Sequence, residues 1–84
     1  VLWCTYVLDQ QQDPPRVAFA VGRSVGPAVT RNRVRRRLRS ALQHIDVPPG
    51  SYLLGASPAA AARSFSELQF DLDRLIRRCR DSNG

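Results

Sequence analysis

Large apolar side chains recur along the 84 residues with two periods, two and three-to-four. Val1 to Leu8, VLWCTYVL, is rich in β-branched and aromatic residues, and this predicts a strand. Trp3, Thr5 and Val7 would lie on one face, with Cys4, Tyr6 and Leu8 on the other. Residues 16–22, RVAFAVG, alternate the large Val17, Phe19 and Val21 with the small Ala18, Ala20 and Gly22. This predicts a second strand with a thick core face and a thin face open to close approach. From Val34 the period changes. Val34, Leu38, Ala41, Leu42 and Ile45 form a single helical stripe.

The connecting residues set the boundaries. DQQQDPP at 9–15 is a polar connector, and the two strands it joins are expected to pair as a hairpin. Gly26 and Pro27 suit a helix start, because proline at the first helical position loses no needed N–H. That helix is expected to run to about Ile45 and to stop at DVPPG, 46–50. SYLLGA at 51–56 is a third strand. SPAAAAR at 57–63 has room for one helical turn, with Ser57 as cap and Pro58 inside it. Ser64 and Glu67 have capping-box spacing. They open a last helix with a stripe of Phe65, Leu68, Leu72, Leu75, Ile76 and Cys79. The order β-β-α-β-α predicts an α+β fold, a small mixed sheet of three to four strands with two long helices on one face. At this length one domain, 1–84, is expected, with a thin core. The chain begins with Val and contains no Met, which reads as a fragment.

Charge changes the picture. From Pro14 to Ile45 there are eight arginines and no Asp or Glu, and six of those arginines lie between Arg31 and Arg39. On a helical wheel of about 100° per residue, Arg31, Asn32, Arg35, Arg36 and Arg39 share one arc bordering the apolar stripe. Arg33 and Arg37 fall on the other shoulder. A solvated helix face ordinarily mixes signs and gains from i, i+4 pairs, whereas like charges at that spacing repel. A polyphosphate would neutralise the band and release counterions. Asn32 adds neutral donor and acceptor capacity inside it. In the last helix Arg74, Arg77 and Arg78 alternate with Asp71 and Asp73, and that helix is read as structural. No apolar run is long enough to span a bilayer, so no membrane partner is expected.

Protein-borne catalysis finds little support. The one histidine, His44, lies near a helix end, and Asp71 and Asp73 diverge on their helix. There is no phosphate-binding glycine loop and no metal-ligand cluster. Cys4 and Cys79 are not spaced as metal ligands. They are expected to be reduced, partly buried core residues, with a bridge or a reactive thiol as the alternative. Tyr6 could stack on a base or be a half-buried strand aromatic, and periodicity leaves both open.

RVAFAVGRSVGPAVTRNRVRRRLRSAL, Arg16 to Leu42, resembles the strand-and-helix signature of the bacterial ribonuclease P protein subunit, centred on Arg31-Asn32-Arg33. SYLLGASPAA and the last helix are similar to the family's third strand and final helix. The resemblance implies a left-handed β-α-β crossover, opposite to the usual hand. It also implies a cytoplasmic ribonucleoprotein whose RNA carries the active site. The holoenzyme removes the 5′ leader of precursor tRNA by Mg²⁺-dependent hydrolysis of a phosphodiester bond. No catalytic residue and no tightly held cofactor are expected of the protein itself, and the family's metal ligands have no assigned positions here. Carried across, Arg31, Asn32, Arg33, Arg35, Arg36 and Arg39 match the basic motif that contacts the catalytic RNA. Arg23 matches a basic position after the second strand, although Ser24 and Val25 lack its common basic neighbour. Tyr6 matches a cleft aromatic near the leader. The family's N-terminal helix has no counterpart here, and the sheet left uncovered would be open to a second copy. A ribosomal or other structural RNA-binding protein is the alternative of the same size and charge. A stand-alone nuclease would need a carboxylate cluster or histidine base.

Overall fold

The computed structural model describes residues 1–81. Three strands, β1 (Leu2–Leu8), β2 (Arg16–Ala20) and β3 (Gly50–Ala56), and two long helices, α1 (Ala28–Leu42) and α2 (Phe65–Asp81), follow one another in the order β1-β2-α1-β3-α2. Short 3₁₀ turns at Arg23–Val25 and Pro58–Ala62 precede the two helices. This is the expected element order, with a sheet of three strands.

The strand order is β1-β3-β2, which corrects the expected hairpin. β3 lies between the other two, antiparallel to β1, with Tyr6 opposite Tyr52, and parallel to β2, with Phe19 opposite Leu54. The connector explains the difference. The Asp9 N–H donates to Pro49 O at 3.1 Å and the Gly50 N–H donates to Gln12 O at 3.0 Å. The connector therefore passes over the start of β3 instead of closing a tight turn. Gly50 has φ +150°, and a Cβ there would lie 2.4 Å from the Val7 carbonyl oxygen. Only glycine suits that crossing. β3 gains the central place because Tyr52, Leu54 and Ala56 are all buried on one face, and a central strand satisfies both rows of its backbone groups.

Both helices cover one face of the sheet. Val34, Leu38 and Ala41 of α1 meet Leu68, Leu72, Ile76 and Cys79 of α2 above Tyr52 and Leu54 in one core. The α1 helix ends three residues before the expected Ile45. Its last turn tightens there, with Gln43, His44 and Ile45 donating to Ser40, Ala41 and Leu42 carbonyls, a common helix ending. The α2 start matches the capping-box expectation. The Glu67 N–H donates to Ser64 Oγ at 3.2 Å, and the Ser64 N–H donates to Glu67 Oε1 at 2.9 Å. Ser57 does not cap its turn with its side chain, because its hydroxyl donates to the Val1 carbonyl at 3.1 Å. Among the described residues no helix is long and apolar enough to cross a membrane.

Candidate nucleic-acid interface

Of the α1 arginines only Arg39 lies in the last turn, where the helix dipole favours a cation. No acidic residue occupies the first turn, and Arg31 follows directly after it, where the positive helix end disfavours another cation. Among the described residues none of the six α1 arginines is in an ion pair. The contrast with α2 is direct. There Arg77 pairs with Asp73 at 3.0 Å, and Arg80 reaches across to Asp46 at 3.8 Å. Elsewhere in the chain acids are used to balance arginines; along α1 they are withheld.

The arginines differ in what holds them. Arg33, Arg36 and Arg39 are exposed, while Arg31, Arg35 and Arg37 are half-buried at the helix shoulders. Arg35 Nη1 donates to Asn32 Oδ1 at 2.6 Å, so Asn32 orients a neighbour within the band. Arg31 Nε is out of solvent with no acceptor. On the opposite shoulder Arg37 Nη1 donates to the Arg63 carbonyl at 2.9 Å, tying α1 to the segment before α2. On the shoulder towards β2, the Arg39 guanidinium lies 5.5 Å from the centroid of the Phe19 ring. Arg23 is exposed in the 3₁₀ turn that leads into α1.

Tyr6 stands apart from this band. It lies on β1, the edge strand away from β2, and its ring stacks on Tyr52 with centroids 6.3 Å apart and planes inclined by 23°. It lines a groove of about 580 Å³ with Cys4, Leu75, Arg78, Cys79 and the acidic Asp81. The structure thus places Arg31, Asn32, Arg35, Arg36 and Arg39 together and Tyr6 elsewhere, beside a cation of α2. Arg78 was not among the expected site residues. Its position three residues after Leu75, at the border of the α2 stripe, was the available signal. Burial pushes the Cys4 thiol up to about 12, reinforced by Cys79 beside it, and burial also raises Cys79. Neither cysteine is in a disulfide.

The fold and the site define the class as a three-stranded α+β domain with an acid-free cationic helix shoulder. Comparison with known proteins narrows the class. The model of the Ribonuclease P family matches residues 3–80. A "Ribonuclease P protein component" of Acidothermus cellulolyticus is 47% identical over 73 residues, covering 83% of this chain and 61% of the relative. One from a Nocardioides species is 50% identical over 68 residues, covering 77% and 58%. The chain therefore spans about three-fifths of the length of these relatives. The structure of the Staphylococcus aureus RNase P protein superimposes with a TM-score of 0.79 at 18% identity, over 93% of this chain and 73% of that one. The chain belongs to the ribonuclease P protein family.

Proposed function

We propose that this chain is the RNA-binding protein subunit of a bacterial ribonuclease P, which removes the 5′ leader of precursor tRNA by endonucleolytic hydrolysis. The observation that carries the reading is the unpaired arginine band of α1 in a member of this family. The RNA of the holoenzyme does the bond chemistry, and the protein neutralises phosphate and positions RNA. Arg31, Asn32, Arg33, Arg35, Arg36 and Arg39 meet phosphates and sugars of the catalytic RNA, with Arg23 extending the surface ahead of the helix. Each arginine offers a planar fork matched to phosphate oxygens. Tyr6, with Arg78 beside it, forms a separate surface suited to the unpaired leader, where an aromatic face stacks on bases.

Mg²⁺ belongs to this reading as a cofactor of the holoenzyme. Among the described residues no group of three His, Cys, Asp or Glu side chains could hold a metal ion. The side chains present do not fit a protein-held ion, and no step is assigned to one. The compartment is that of precursor tRNA, the cytoplasm.

Self-association is a secondary part of the proposal. The sheet face turned away from the helices exposes Trp3 at 44%, Val7 at 68% and Leu53 at 39%. A second copy could cover this apolar strip. Sedimentation should show a concentration-dependent dimer that Trp3→Ser and Leu53→Ser weaken; a monomer throughout the micromolar range would remove this part.

The direct test adds the protein to a bacterial ribonuclease P RNA and precursor tRNA at low Mg²⁺. Cleavage at the leader junction should rise when the chain is added. No stimulation, despite binding of ribosomal RNA fragments with equal affinity, would favour the structural RNA-binding alternative, which the relatives above do not support.

A further inference from the structure

Between β2 and the end of α1 lies a groove of about 480 Å³, within the size range of small-molecule sites. Val17 and Phe19 form one side, and Leu42 and Ile45 the other. Arg39 and Gln43 stand at its polar margin, and no carboxylate lines it. We propose that this groove takes one unpaired nucleobase from the RNA strand that the α1 arginines bind. The inference rests on the reading of α1 as a phosphate-binding band and adds a base site to it.

Three observations select this occupant. The first is continuity. Arg31, Arg35 and Arg39 recur every four residues on one shoulder, about 6 Å apart along the axis, so a strand following them arrives at the groove with its backbone on Arg39. The second is the ring pair. The Arg39 guanidinium lies over Phe19 at 5.5 Å, and flat cationic and aromatic groups are the two platforms on which unpaired bases stack. The third is the polar margin. The Gln43 side-chain amide is exposed and makes no hydrogen bond among the described residues. It offers a donor and an acceptor to the edge of a base. An aliphatic or anionic peptide side chain would use only part of this set. A base uses the apolar slot, the stacking face and the amide together, while its phosphate stays with the arginines.

The test compares two RNA probes of equal length and charge, a 12-nucleotide oligoadenylate and the same backbone with abasic positions. The wild-type chain should bind oligoadenylate about tenfold more tightly, the scale of one stacked base, with the same salt slope for both. Phe19→Leu should abolish the preference without changing the slope, and Phe19→Tyr should retain it. Thermal melts of both variants establish that they fold. Equal affinity for the two probes, with a steep salt slope, overturns the base site and leaves the arginine band standing. So does a preference that survives in folded Phe19→Leu. A flat salt slope for both probes overturns the band and the base site with it. Should Phe19→Leu fail to fold, Gln43→Ala, at an exposed position, replaces it: a reduced preference supports the site, and an unchanged one overturns it.

Discussion

Asn32 holds Arg35 by a 2.6 Å hydrogen bond across one turn of α1. The bond fixes a guanidinium that would otherwise sweep the helix surface, and fixing it before binding lowers the ordering cost of contact. Asn32→Ala should therefore weaken RNA affinity by about threefold, the order of one modest hydrogen bond. The charge is unchanged, so the salt dependence should be unchanged. Alanine is the better helix former, so the melting temperature should hold or rise. Equilibrium binding at several salt concentrations, alongside a thermal melt, checks all three outcomes.

Arg37 belongs to the fold more than to the band. Its bond to the Arg63 carbonyl is 2.9 Å long and partly buried. Arg37→Ala should cost about 1–2 kcal/mol of stability and leave the salt slope of RNA binding near its wild-type value. Arg36→Ala, at an exposed position, should do the reverse. Urea denaturation and binding isotherms on the two variants separate these effects, and equal losses in both assays would refute the division.

The two thiols predict an alkaline limit. The Cys4 pKa is raised from 9.0 to about 12 by burial, and Cys79 and Tyr52 shift in the same direction. Above pH 9 the unfolded chain sheds protons that the folded chain keeps, so stability falls as pH rises from 9 towards 12. Below pH 9 this contribution is complete. Cys4→Ala should flatten that alkaline slope in pH-dependent denaturation curves. At pH 8 both native thiols should react with an aromatic disulfide reagent far more slowly than in urea, since the thiolate is the reacting species.

The amphipathic stripes made most of this fold legible. Val34, Leu38 and Ala41, and Leu68, Leu72 and Ile76, are buried as their spacing requires, and Ser64 and Glu67 form the box their spacing announces. Strand order was not legible. The period of two identifies a strand and its inward face but not its neighbour, and the choice between a local hairpin and insertion of β3 is made by contacts distant in sequence. The wheel separated Arg37 from the band correctly, but nothing in the chain foretold that its partner is a backbone carbonyl near α2. Asn32 read as a free donor and acceptor, yet its oxygen is already committed to Arg35. Phe19 read as core and does pack against it, and its place on an edge strand also leaves its ring beside Arg39.

The central claim is that α1 meets the phosphates of RNA, and the salt dependence of RNA affinity tests it most directly. For single strands the slope of log affinity against log salt is about −0.7 per phosphate neutralised. Arg35→Ala combined with Arg39→Ala should make the slope shallower by about 1.4 while the protein remains folded. A folded double variant whose slope equals that of the wild type would contradict the account.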